Sequence, residues 1–155
     1  MKSLHHDAAS GAERQTKTVV VHGSGARFAQ EITAGAHRFT ADEPVSAGGS
    51  DQGPSPYDLL LAALGSCTSM TLGMYARRKG WPLEEVTVTL RHSKLHADDC
   101  ANCENKDAML DRIDREIHMA GPLTAEQKLR LVEIADKCPV HRTLTSTIQI
   151  QTRAV

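Results

Sequence analysis

The stretch from Ser55 to Gly80 constrains this chain more than any other. Ser55-Pro56-Tyr57-Asp58 carries the marks of a helix start. Ser55 can cap the first turn, Pro56 suits the first helical position, and Asp58 completes a capping-box pattern. At the far end Arg77, Arg78 and Lys79 favour the negative end of a helix dipole, Gly80 supplies a left-handed stop, and Pro82 bars continuation. Leu60, Leu64, Cys67, Thr71 and Met74 recur at helical spacing and share one face, which Leu61, Thr68 and Leu72 broaden. With Ala62, Ala63 and Gly65 added, the first half of this helix is apolar nearly all round. A helix apolar on every side is buried on every side. In a chain of 155 residues that is hard to arrange, and it points to a second copy of the chain.

The remaining elements are shorter. Val19-Val20-Val21 and Arg27–Ile32 read as strands, Thr33–Ala36 as a turn, and His37–Ala41 as a returning strand. Residues 42–55, rich in Gly, Pro, Ser and Asp, form a loop long enough to suggest a function. Val86, Val88 and Leu90 alternate with Thr87 and Thr89 in a further strand. Residues 107–119 fit two templates. Leu110, Ile113 and Ile117 have helix spacing, whereas Ile113, Arg115, Ile117 and Met119 would form one face of a strand. Thr124-Ala125-Glu126-Gln127 opens a second helix with another capping box. Leu131, Ile134 and Cys138 line its inner face, and Pro139 marks its end or a kink. Thr145–Gln151 alternates and reads as a last strand. The order assigns the α+β class, with residues 1–16 as a loose polar tail and 17–155 as a single domain.

Composition narrows the function. Lys plus Arg is 18 and Asp plus Glu is 19, a formal net charge of −1, which argues against nucleic-acid binding by bulk charge. Two Phe, two Tyr and one Trp are too few for a base-stacking platform. No uninterrupted apolar run approaches the roughly 18 residues of a membrane span, so no membrane partner is expected. The first residues lack the apolar segment of a secretory signal, and a cytoplasmic location with reduced thiols is the expectation. The four cysteines, Cys67, Cys100, Cys103 and Cys138, then point to redox chemistry, metal binding or ordinary buried thiols.

Cys67 and Cys138 each fall on the apolar face of a helix, where the two helices can meet. The plain reading is a pair of small buried hydrophobes. Three features favour reactivity: the small neighbours Gly65, Ser66, Thr68 and Ser69 around Cys67; the positive group His141-Arg142 after Cys138; and the long loop before the first helix. A mid-helix cysteine gains little from its own helix N-terminus, so its activation needs a cation or donor from another segment. Arg27, Arg38 and Arg142 are the candidates.

The stretch Gly53-Pro54-Ser55-Pro56-Tyr57-Asp58-Leu59-Leu60-Leu61-Ala62-Ala63-Leu64-Gly65-Ser66-Cys67-Thr68 resembles the first cysteine motif of the OsmC/Ohr family of osmotically inducible and organic hydroperoxide resistance proteins. Cys138-Pro139-Val140-His141 resembles the second. The resemblance covers about residues 17–153. It implies an OsmC-like fold, with antiparallel sheets around two long central helices in an intertwined homodimer, and it places residues 107–119 in a strand. It also implies a chemistry. Cys67 attacks a peroxide and becomes a sulfenic acid, Cys138 condenses with it to a disulfide, and an external dithiol, often a lipoyl-bearing protein, restores both thiols. The hydroperoxide-resistance branch carries a Glu at the position of Tyr57, and here the acidic residue is the next one, Asp58. Helix geometry puts Asp58 roughly 13 Å from Cys67 of its own chain, within reach of a site only across a dimer or by local unwinding. The branch also uses an Arg of its N-terminal sheet to hold the thiolate, for which Arg27 is the first choice and Arg38 the second.

The other cysteines lie in His92-x3-His96-x3-Cys100-x2-Cys103. Cys-x2-Cys is half of a tetrahedral zinc site. On a strand His92 and His96 are about 13 Å apart, so the candidate metal set is His96, Cys100 and Cys103 with a fourth ligand from elsewhere. Free loop thiols and a labile disulfide stay open beside it. Three functions therefore compete: a two-cysteine peroxidase for small organic hydroperoxides, needing no cofactor; a dimeric redox sensor or ligand-binding module without fast turnover; and a zinc-stabilised structural module.

Overall fold

The computed structural model describes residues 17–96 and 109–155, and their contacts divide into two compact units that meet in sequence at Gly53 and Pro54. The first unit is a three-stranded antiparallel meander, β1 (Val19–Gly23), β2 (Gln30–Ala34) and β3 (His37–Ala41), in that spatial order. Val21 pairs with Ile32 and Ile32 with Phe39, so β-branched and aromatic residues meet across the ladder. The expected β3 is found as read. β2 begins later than read, at Gln30, because the Gln30 side chain donates back to the Phe28 carbonyl and Arg27 N–H to the Ser24 carbonyl, closing a turn there. The loop after β3 winds around Asp42. Its carboxylate accepts backbone N–H groups from Glu43, Ser50 and Gln52 at 2.8, 3.0 and 3.2 Å, with a 3₁₀ turn at Val45–Ala47 between them.

The second unit contains α1 (Pro56–Lys79), β4 (Glu85–His96), β5 (Met109–Ala120), α2 (Ala125–Ala135) and α3 (Pro139–Leu144). Local chemistry sets the limits of α1. Ser55 and Asp58 form a reciprocal capping box, Pro56 opens the helix, and Gly80 at φ 65° ends it beneath Arg77, Arg78 and Lys79. Thr124 and Gln127 cap α2 in the same way. β4 and β5 form a long antiparallel pair, from Glu85 opposite Ala120 to His96 opposite Met109. Residues 109–119 are thus strand, the second of the two templates and the one the resemblance favoured.

α1 packs against β4, α2 and α3. Gly65 permits the close approach to the sheet: a Cβ there would stand 2.8 Å from the Leu90 side chain. The core of this unit is Leu72, Ala76, Leu131, Ile134 and Ala135, with Tyr75, Trp81, Val86 and Ile117 packed against it.

Three sequence readings are corrected. The buried stripe of α1 is Leu64, Thr68, Leu72 and Ala76, whereas Met74, assigned inward, is 61% exposed. α2 ends at Ala135, so Cys138 caps the next helix and Pro139 starts α3 instead of ending α2. Residues 146–155 form no strand, since among the described residues no neighbour supplies a ladder, and Ile148 and Ile150 are exposed. In addition, α1 contains an 18-residue window of mean hydropathy 1.4, apolar and long enough to cross a membrane by length and composition alone. Small polar residues interspersed through it hide that property from a search for unbroken apolar runs. The buried stripe just named is the packing face of a core helix.

Candidate functional site

Cys67 and Cys138 come together where α1 meets the α2–α3 junction. Cys67 is partly exposed, Cys138 is fully buried, and both are free thiols. The Cys67 thiol donates toward the Cys138 sulfur. Mid-helix placement on α1 presents Cys67 beside Thr68. Cys138 is held differently, as the N-cap of α3, with its Sγ accepting the His141 backbone N–H at 3.3 Å. Chain reversal at Asp136 and Lys137 turns the Cys138 side chain back toward α1.

The two thiols titrate in opposite directions. Burial pushes Cys67 above the ordinary thiol range, the Cys138 neighbour adds to that, and the Val140 N–H only partly offsets it. Burial also works to raise Cys138, but hydrogen bonds from the His141 N–H, the Cys67 thiol, the Thr68 hydroxyl and the Val140 N–H outweigh it and leave Cys138 below that range. When the reduced pair ionises, the buried sulfur is therefore the one that gives up its proton first.

Behind Cys138 stands a network not anticipated as functional. Arg115, on β5 opposite Leu90, donates to the Thr68 hydroxyl at 3.1 Å, the Ala135 carbonyl at 3.3 Å and the Asp136 carboxylate at 2.7 Å. The signal was present in the sequence: an arginine in the apolar alternation Ile113, Arg115, Ile117, Met119. His141 Nδ1 lies 4.0 Å from the same Asp136 oxygen. One helical turn past Cys67 a cavity of about 490 Å³ opens between α1 and α2, lined by Met74, Ile134, Thr71 and Tyr75 and by the cations Arg78, Lys79, Arg130 and Lys137.

The other sequence candidates are placed as follows. Arg27, expected in a strand, lies in the turn between β1 and β2, and Arg38 lies on β3; both are exposed members of the first unit. Arg142 is exposed on α3. Asp58 is engaged at the start of α1, accepting from the Ser55 N–H at 3.0 Å and hydroxyl at 2.7 Å, which also lowers its pKa. Within one chain it is a helix cap and not a neighbour of Cys67. Tyr57, beside it, stacks on His92 with ring centroids 4.5 Å apart, and His92 Nε2 meets Asp111 at 2.8 Å. Cys100, Cys103 and the side chain of His96 lie outside the described residues. Among the described residues no group of three or more His, Cys, Asp or Glu is placed to hold a metal ion.

Residues 49–153 match the profile of the OsmC-like protein family. Solved structures with the same fold include an OsmC-like protein from Mycoplasma pneumoniae, at 15% identity and TM-score 0.67 over 84% of this chain and 88% of that one. The organic hydroperoxide resistance protein OsmC of Legionella pneumophila gives 22% identity and TM-score 0.61 over 84% and 89% of the two chains. The organic hydroperoxide resistance protein OhrB of Bacillus subtilis gives 19% and 0.59 over 84% and 90%. No curated protein matches the chain in sequence. Both cysteines, their motifs and the helices that carry them fall within the matched span, and the chain belongs to the OsmC-like protein family.

Proposed function

We propose that the chain is a thiol-dependent peroxidase that reduces organic hydroperoxides through Cys67 and Cys138, in defence against oxidative stress. The observation that carries this reading is the contact between a partly exposed thiol and a fully buried one on separate elements. Cys67 is the sulfur a substrate can reach. Once the pair has lost one proton, that of Cys67 passes to the Cys138 sulfur as Cys67 attacks the outer peroxide oxygen. The O–O bond breaks, Cys67 becomes a sulfenic acid, and the departing alkoxide takes from solvent a proton equal to the one lost when the pair ionised, leaving as the alcohol. Cys138 sulfur then attacks Cys67 sulfur, and its proton departs with the hydroxyl as water. Two thiols and one hydroperoxide become a disulfide, an alcohol and water. Met74 and Ile134 in the adjoining cavity can pack an organic substituent, and the names of the Legionella and Bacillus relatives support the same substrate class.

An external dithiol, such as a lipoyl-bearing protein, closes the cycle in this reading. The functional unit is a homodimer in the cytoplasm, with a second copy over the face of α1 that leaves Met70 and Met74 exposed. Asp58 and Arg27 would act only across such a dimer.

Intact mass before and after one equivalent of an alkyl hydroperoxide tests the proposal. A loss of two hydrogens mapping to Cys67 and Cys138, abolished in Cys67→Ser, is expected. Oxidation confined to Cys100 and Cys103, or none, sinks it. A second reading, redox sensing or ligand binding without fast turnover, is favoured by the raised pKa of Cys67. It predicts the same disulfide forming slowly under peroxide excess. Zinc at His96, Cys100 and Cys103 is a separate proposal, checked by metal content after purification without chelator.

A further inference from the structure

The Arg115 network touches neither Cys67 nor the substrate side of the site, yet it converges on Cys138 through Thr68. The Arg115 side chain is 13% exposed and its guanidinium is held between Asp136 and the Ala135 carbonyl, so its position is set by the end of α2. Its third partner, Thr68, is fully buried. The Thr68 hydroxyl has one hydrogen and two acceptors in reach, the Leu64 carbonyl at 2.8 Å and the Cys138 sulfur at 3.9 Å. Arg115 donates to that same oxygen, which polarises the O–H and strengthens its donation. A neutral sulfur is a weak acceptor and leaves the hydrogen on Leu64. A thiolate is a strong one and draws the hydrogen to itself. The arrangement thus rewards charge on Cys138 specifically.

Charge appears on Cys138 when its disulfide with Cys67 is cleaved. Cys138 is fully buried and Cys67 is the partly exposed member of the pair, so an incoming thiolate approaches from the Cys67 side. We propose that Arg115 is a positioning residue for re-reduction, acting through the Thr68 hydroxyl to stabilise Cys138 as the leaving thiolate. The inference rests on the Cys67–Cys138 disulfide of the proposed function. One thiolate of an external dithiol bonds to Cys67 sulfur, the S–S bond breaks, and its electron pair goes to Cys138. The second thiolate of the reductant then attacks the mixed disulfide and frees Cys67, and the reductant leaves as its own disulfide. A better-stabilised leaving thiolate departs faster.

The disulfide is formed with diamide, which needs no peroxidase activity, and its reduction by dithiothreitol is followed by rapid quench and alkylation. Thr68→Val and Arg115→Met are expected to slow reduction about tenfold more than they slow disulfide formation. Thr68→Ser, which keeps the hydroxyl, stays within about twofold of the unmutated protein, and Arg115→Lys is faster than Arg115→Met. Reduction of the Thr68→Val disulfide within about twofold of the unmutated rate overturns the proposal. Equal slowing in Thr68→Ser and Thr68→Val also overturns it, and the Thr68 pair decides the matter if Arg115→Met does not fold. A chain that forms the disulfide with diamide but not with an alkyl hydroperoxide contradicts the peroxidase reading alone.

Discussion

The two units bury their apolar residues very differently. In the second, Leu72, Leu131 and Ala135 are at 0% exposure, and the reactive pair lies against that packing. In the first, Val19, Val20 and Val21 are 56%, 59% and 56% exposed, and among the described residues only Ile32 and Ala41 are buried apolar residues. Three strands with so little burial stand near the lower limit of independent stability. What organises the first unit's loop is polar, the Asp42 carboxylate and its three backbone donors. The contrast separates two tasks. Dense packing holds the thiols of the second unit in fixed geometry, whereas the first unit presents an apolar strand face.

Leu72→Ala should test the dense side hardest. It opens a cavity at the centre of the α1–α2 contact and should cost about 2–5 kcal/mol in chemical denaturation. A cost under about 1 kcal/mol would mean that the second unit is no better packed than the first. The thiols give the next effect. As pH rises, the ultraviolet absorbance of thiolate should show a step below the ordinary thiol range from Cys138 and one above it from Cys67. Cys138→Ser should remove the lower step, and its survival would show that the buried sulfur is not the charged one.

Asp42 provides the matching test in the first unit. Burial works to raise its pKa, but the Gln52, Glu43 and Ser50 N–H groups together hold it below the ordinary carboxylate value of 3.8. A lowered folded-state value means stability that is fully present above 3.8 and lost as pH falls through the folded value. Proteolysis of residues 42–53 should therefore rise only in acid below that range, and at neutral pH in Asp42→Asn. Val20→Thr should have the smallest effect, within about 0.5 kcal/mol in dilute protein. A larger, concentration-dependent cost in thermal melts would show that a second copy covers this strand.

The elements legible in the sequence are those whose limits are set by neighbours in the chain. Ser55, Pro56 and Asp58 define the start of α1, and Gly80 its end, because a capping box and a left-handed residue act over a few bonds. Thr124 and Gln127 do the same for α2. The face that α1 buries was legible in part: Leu64, Thr68 and Leu72 were placed on it, whereas Ala76 was missed and Met74 assigned to it in error. Thr68 and Ala76 carry little apolar signal, and their burial comes from Arg115 and Leu131 on distant elements. The alternation of Thr145–Gln151 is real, but a strand needs a partner ladder, which no local pattern supplies.

The sequence by itself determined both limits of α1, the start of α2, the α+β class and which two cysteines sit in recognisable motifs. Those properties depend on side chains within a few residues of one another. Only the tertiary structure decided that Cys138 caps a new helix, that it is buried while Cys67 is partly exposed, and that Arg115 stands behind it through Thr68. Burial and hydrogen bonding set the charge on each thiol, and both come from residues far apart in the chain.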